Sequence, residues 1–194
     1  MESCDCNILF SRENGGFNFV LKMTIEKFPT KEWHNSIRGW FAGALFEQMK
    51  TNKDIVVIVG DLGYLMFDKI REAYPNRFFN VGAAESAGMG IAVGMAYQGK
   101  IPFVYSITPF LIARPYEWLK NYVNHENLPI KLIGSGRDKD YEIDGFTHDA
   151  TGIKELLDTL PKIVQLWPEE KEDIPDMVKE MITNKKPSFV SLRR

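Results

Sequence analysis

Cysteine is nearly absent: the 194-residue chain holds two, Cys4 and Cys6, one residue apart in a polar leader. That spacing suits neither a disulfide framework nor a four-ligand zinc site. A reducing, cytoplasmic setting is the expectation. Long hydrophobic runs are also missing. No stretch approaches the roughly 18 apolar residues of a membrane span, and the leader lacks the basic-then-apolar order of a secretory signal. There is no excess charge of one sign. The 24 Lys plus Arg and 26 Asp plus Glu leave a net charge of −2, with the charges scattered rather than blocked. Neither nucleic acid nor an anionic membrane is indicated as a partner. Internal repeats and low-complexity tracts are absent as well.

What is present is a 44% hydrophobic content, enough to fill the core of one domain of ordinary size. Residues 1–22, MESCDCNILFSRENGGFNFVLK, show no clear period and break at Gly15-Gly16, whereas an amphipathic region begins at Met23. The first 22 residues therefore read as a weakly attached extension, or alternatively as an arm that docks on a partner. Residues 23–194 read as a single domain.

From Trp33 to Met49, apolar residues recur at three- and four-residue steps, which predicts a helix lying on a core. The continuous β-branched run Ile55-Val56-Val57-Ile58-Val59 predicts a strand buried on both faces, hence a parallel sheet. The alternation repeats with helices near Leu65–Ala73, Glu85–Tyr97, Pro115–Asn124, Ile153–Leu157 and Ile174–Ile182. Between them fall strands at Phe78–Val81, Pro102–Ile107, Ile130–Ile133, Lys162–Leu166 and Ser188–Leu192. Six strands alternating with helices predict an α/β fold, a doubly wound, mainly parallel sheet with helices on both faces.

Ligands of such sheets bind beyond the carboxyl ends of the strands. The loops to search are Gly60-Asp61-Leu62-Gly63, Gly82-Ala83-Ala84-Glu85, Thr108-Pro109-Phe110 and residues 134–149. Glu85 is the only acidic residue between Glu72 and Glu117, and it stands where a strand passes into a helix of small residues. An acid in a first helical turn is favoured by the macrodipole alone, so position by itself does not make it catalytic. The glycines and alanines of that helix, Gly88, Gly90, Ala92, Gly94 and Ala96, predict close backbone packing against the sheet or against a second subunit.

The run RFFNVGAAESAGMGIAVGMAYQG, Arg77 to Gly99, resembles the group containing transketolase, deoxyxylulose-phosphate synthase and the pyruvate dehydrogenase β subunit. Gly60-Asp61-Leu62 is similar to that group's Ala-Asp-Leu turn, and Asp144-Gly145-Phe146-Thr147-His148 to its Asp-Gly-Pro-Thr-His loop. The three motifs come in the family's order, and the likeness runs from about Lys53 through Arg194.

The resemblance implies the domain that holds the aminopyrimidine ring of thiamine diphosphate. Glu85 then matches the glutamate that bonds ring nitrogen N1′ and favours the imino tautomer, whose exocyclic nitrogen takes the thiazolium C2 proton. Burial is expected to raise the Glu85 pKa above what the helix start favours. Asp61 and Leu62 belong to the cofactor-binding turn, and Arg114 matches an arginine of the synthase branch. Phe110 is the candidate stacking residue, with Leu111 as the alternative. Asp144 and His148 match residues that contact substrate oxygens, which favours a hydroxylated sugar over a plain 2-oxo acid.

No Gly-Asp-Gly followed about twenty-five residues later by Asn, the family's metal and diphosphate signature, occurs in the chain. The Mg2+ or Ca2+ ion is therefore expected in a separate diphosphate-binding chain. The sequence stops two residues after Leu192, without the family's third domain. The implied assembly is a split enzyme, α2β2 with two-fold symmetry, that moves two-carbon ketol units between sugars or sugar phosphates. A decarboxylase or synthase subunit acting on a 2-oxo acid, and a non-catalytic binding module, are the alternatives.

Overall fold

Five successive β-branched residues form β3 (Ile55–Val59), which is buried along its whole length in the computed structural model. The described residues are 33–194, together with a short antiparallel ladder of β1 (Arg12–Glu13) and β2 (Gly16–Phe17). The expected boundary after residue 22 and the amphipathic start at Met23 lie outside the described residues. Contacts divide the chain into Met1–Glu32 and Trp33–Arg194, and the sheet and the helices around it belong to the second unit.

β3 pairs with β4 (Phe78–Asn80) on one side and β5 (Ile101–Ile107) on the other. β6 (Lys131–Ser135), β8 (Ser188–Leu192) and β7 (Val164–Leu166) complete a six-stranded sheet in the order β4-β3-β5-β6-β8-β7. Every pairing is parallel. Parallel neighbours need crossovers, and the helices supply them on both faces.

On one face Ile58, Val104, Leu132 and Phe189 pack with α3 (Glu85–Tyr97), α4 (Thr108–Ala113) and α6 (Ile153–Asp158) in one continuous core. On the other, α1 (Ile37–Thr51) packs beside α7 (Ile174–Thr183), and the Phe41 ring lies 6.4 Å from that of Phe103. α1 begins four residues later than its apolar stripe predicts. The Ser36 hydroxyl accepts from the Gly39 N–H at 3.2 Å and caps the helix there, leaving Trp33 buried ahead of it. α2 (Asp68–Ala73) likewise starts late.

The larger departure is α4. Thr108-Pro109-Phe110 reads as a loop in the sequence, yet β5 runs directly into a helix at Thr108. Proline in a first turn gives up an N–H that has no partner there in any case, so Pro109 starts the helix rather than stopping one. α5 (Tyr116–Trp118) continues as a π-helical turn, Leu119–Asn124.

The small residues of α3 have a local use. A methyl group at Gly88 would meet Val81 at 3.0 Å, and one at Gly90 would meet the Trp118 ring at 3.2 Å. These two glycines serve packing within the domain. Elsewhere on α3, Ile91 and Tyr97 are exposed.

Candidate active site

α3 starts at the carboxyl end of β4, and its first residue, Glu85, is 5% exposed. The turn before it is shaped by Asn80, whose side-chain oxygen accepts from the backbone N–H groups of both Asp61 and Gly82, each at 3.0 Å. This one side chain ties together the loops after β3 and β4. Asp61 itself is held at φ +56°, a left-handed conformation uncommon outside glycine. Its carboxylate accepts from the Tyr64 hydroxyl at 2.7 Å and from Asn80 at 3.2 Å, and those bonds hold its pKa below the ordinary value.

Gly60 lies beside the Glu85 carboxylate. A methyl group there would sit 3.5 Å from Glu85 Oε1, the Gly82 carbonyl oxygen and the Ser106 hydroxyl. A side chain larger than alanine would fill the space beside the carboxylate.

Two donors engage Glu85. The Ser106 hydroxyl, at the end of β5, donates to Oε1 at 3.0 Å, and Arg114 Nη1 lies 2.7 Å from Oε2. Because α4 is a helix, Arg114 falls one turn beyond Phe110, a spacing that brings side chains together. The guanidinium carbon stands 3.7 Å from the centre of the Phe110 ring. The same ring is met edge-on by His148 at 4.8 Å between centres. Glu85, Arg114, Phe110 and His148 thus form one contiguous chain of contacts drawn from α3, α4 and the loop after β6.

The charge state of Glu85 departs from expectation. Burial pushes its pKa up, but the Arg114 hydrogen bond, its own backbone N–H, the Ser106 hydroxyl and the Arg114 charge together push it down further. The carboxyl lies below the ordinary glutamate range, so the expectation of a raised value is corrected. Helix start and burial are local influences, whereas an arginine 29 residues downstream decides the outcome.

Of the other expected residues, Leu62 is half-buried in the turn after β3. Leu111 is fully buried in the core, while Phe110 is half-buried and presents its ring to the Arg114 guanidinium that bonds Glu85. Asp144 is exposed in a 3-10 turn, Glu142–Asp144, and His148 ends a second one, Phe146–His148. His148 Nδ1 is 3.1 Å from the Thr147 hydroxyl. Phe146 stands 92% exposed between them.

This loop is anchored rather than loose. Arg137, 6% exposed, bonds Ser191 Oγ at 3.2 Å, the Ser191 carbonyl at 3.0 Å and the Pro168 carbonyl at 2.9 Å, and pairs with Glu169. Tyr141 bonds Ser135 Oγ at 2.8 Å and receives Arg38 Nη1 at 3.1 Å.

Sequence reasoning did not single out Ser106 or Asn80 as site residues, and it reached Gly60 only as part of the turn after β3. A hydroxyl in an otherwise apolar strand and an amide at a strand's carboxyl end were the available signals. Among the described residues, no group of three or more His, Cys, Asp or Glu is placed to hold a metal ion, and no helix is long and apolar enough to cross a membrane.

The chain has relatives among known proteins. The 6-deoxy-6-sulfo-D-fructose transketolase subunit of a Clostridium species is 25% identical over 170 residues, covering 87% of this chain and 53% of that one. An apulose-4-phosphate transketolase subunit of Phocaeicola vulgatus is 27% identical over 158 residues, covering 81% and 51%. Among solved structures, a split-gene transketolase described as an inactive β4 tetramer superposes with a TM-score of 0.72 at 28% identity, covering 82% of this chain and 51% of that one. The chain spans about half the length of these relatives. Residues 35–194, nearly all of the second unit, match the family described as transketolase, pyrimidine binding domain. The chain belongs to the transketolase pyrimidine-binding domain family.

Proposed function

We propose that this chain is the pyrimidine-binding subunit of a transketolase-type enzyme that transfers a two-carbon ketol unit between sugars or sugar phosphates. The observation that carries the reading is a buried carboxyl group at the sheet's carboxyl edge, Glu85, joined through Arg114 to an aromatic face, Phe110, with a glycine, Gly60, that leaves room beside the carboxylate. Those three features fit an aminopyrimidine. A flat ring needs a surface to stack on, a partner for its nitrogen and the absence of a side chain where it enters.

Thiamine diphosphate, when bound, supplies the carbon nucleophile that adds to a ketose carbonyl. Ser106 holds Glu85 Oε1, so Oε2, which Arg114 engages here, is the oxygen that would share a proton with ring nitrogen N1′. Phe110 supports the ring, and the Asp61-Leu62 turn lines its approach. His148 is held edge-on to Phe110 with Nδ1 bonded to Thr147, which leaves Nε2 to bond a substrate oxygen. Asp144, four residues earlier on the same anchored loop, is assigned to a substrate hydroxyl.

The diphosphate and its Mg2+ or Ca2+ ion belong to a partner chain, since the Gly-Asp-Gly signature is absent from this sequence. The exposed, uncharged side of α3 around Ile91 and Tyr97 is a surface suited to such a partner.

The test is co-expression with the chain that carries the missing signature, followed by a ketol-transfer assay over sugar phosphates and 2-oxo acids. Glu85→Gln should lower turnover by about 10²–10⁴-fold with folding intact. Retention of more than about a tenth of the activity would refute the role of Glu85. Turnover of 2-oxo acids alone would refute the sugar assignment.

A further inference from the structure

The Glu85 side chain is 4% exposed, yet the Arg114 side chain that pairs with it is 45% exposed. The acid is fixed, and its partner lies on the solvent side. That same guanidinium stands 3.7 Å from the Phe110 ring centre, close enough to be stacked on it. One group thus takes both contacts assigned to an incoming ring, the hydrogen bond to Glu85 and the face of Phe110. A guanidinium is suited to this because it is planar, delocalised, rimmed with N–H donors and weakly hydrated. An aminopyrimidine presents the same combination of a flat π-face and an edge that bonds a carboxyl group.

We propose that Arg114 is a built-in stand-in for the aminopyrimidine ring, occupying the ring's place between Glu85 and Phe110 until the cofactor displaces it. The inference rests on the reading of Glu85 and Phe110 as the ring site. It assigns Arg114 a blocking role in place of the cofactor-binding one implied by family resemblance.

The local structure allows the exchange. Arg114 sits at the C-terminal end of α4 with helical backbone angles, φ −64° and ψ −47°, so its side chain can change rotamer without backbone strain. Its carbonyl accepts from the Ser86 hydroxyl at 3.0 Å, which pins the backbone at the mouth of the site while the side chain moves. Leaving the buried Glu85 carboxylate without a charged partner, with Ser106 alone to donate to it, would be costly, so the arginine protects the fold of the cofactor-free chain. Departure of the charge also removes the leading opponent of burial, which moves the Glu85 pKa upward, toward the protonated form that contact with a ring nitrogen requires.

The probe is 4-amino-5-hydroxymethyl-2-methylpyrimidine, the ring without the diphosphate, titrated calorimetrically into the full chain and its Arg114→Met, Arg114→Lys and Glu85→Gln variants. Arg114→Met should bind the ring about tenfold or more tightly than wild type, the worth of one charge-assisted bond. Arg114→Lys should fall between, since an ammonium can pair with Glu85 but offers no planar surface to Phe110. Equal or weaker binding by Arg114→Met, with wild-type binding that depends on Glu85, overturns the stand-in role and leaves the ring site in place. Ring binding that is absent throughout, or unaffected by Glu85→Gln, overturns the ring site and the stand-in together. Side-chain ¹⁵N spectra of wild type need no variant to fold. The Arg114 guanidinium resonances should be those of a restrained group in the free chain and of a rapidly rotating one once the ring is added, and unchanged resonances at saturation would refute displacement.

Discussion

Ser106→Ala is the cleanest perturbation of the site, because it deletes one donor to Glu85 and little else. The deleted bond is 3.0 Å long, buried, and made to an ionised oxygen. Bonds of that kind contribute about 1.5–3 kcal/mol. Arg114 still donates to Oε2 in the variant, so the carboxylate keeps one partner, and about 1–2 kcal/mol is the expected coupling between Ser106 and Glu85. The assay is urea unfolding of wild type, Ser106→Ala, Glu85→Gln and the double variant, combined as a double-mutant cycle.

The pH dependence of that coupling has a definite sign. The folded pKa of Glu85 lies below its unfolded value of 4.5, so its contribution is complete above the unfolded value and is lost as pH falls through the folded one. The cycle should give its full coupling at neutral pH and less than half of it in acid. A coupling below about 0.5 kcal/mol at neutral pH, the usual limit of simple additivity, would refute the bond's importance. A coupling unchanged in acid would show that the ionised carboxylate is not its source.

Two further perturbations test the scaffold. Lys131, at the start of β6, is fully buried, donates to Asn184 Oδ1 at 3.2 Å and to the Lys186 carbonyl, and has its pKa lowered by burial from 10.5 to about 8. The unfolded chain therefore holds more protons than the folded one between about 8 and 10.5, and stability should rise with pH across that window. Lys131→Met should abolish the rise when urea midpoints are compared from neutral to alkaline pH, and a flat wild-type profile would refute the account. Gly136, at φ +83°, would as alanine bring its methyl carbon 2.3 Å from the Tyr141 ring, which Ser135 and Arg38 hold in place. Gly136→Ala should cost about 2–4 kcal/mol through overpacking and a left-handed backbone, seen as a fall of several degrees in Tm. A melting point within about a degree of wild type would mean that the loop simply gives way.

The sheet was legible because parallel strands covered on both faces must be apolar throughout, and Ile55–Val59 has that pattern. α3 was legible at both ends, with an acid in its first turn and a positive-φ glycine, Gly99, just beyond its last. α4 was not. Pro109 reads as punctuation when its neighbours are unknown, although in a first turn it is harmless. That single misreading hid the site's main geometric fact, since only a helix places Arg114 over Phe110. Ser106 was hidden for another reason. A strand residue declares a role only when the helix across from it is known, and Glu85 is 21 residues away in sequence.

The charge of Glu85 shows the limit most clearly. Burial and the helix start are both readable from local sequence, and weighing them gave a raised pKa. The structure adds two non-local donors, and the direction reverses. On the proposed reading, an acid that must share a proton with a ring nitrogen is instead held ionised by its own chain. Completing such a site requires more than bringing a second chain to hold the diphosphate. The entering ring must also take the arginine's place, because Glu85 cannot remain an ion paired with Arg114 and at the same time hold a proton for N1′. The binding free energy from the diphosphate and metal would drive that exchange, as remote contacts do when they are used to set up a reacting centre. A ring without its diphosphate tail should accordingly bind wild type weakly, and the shortfall should narrow when Arg114 is removed.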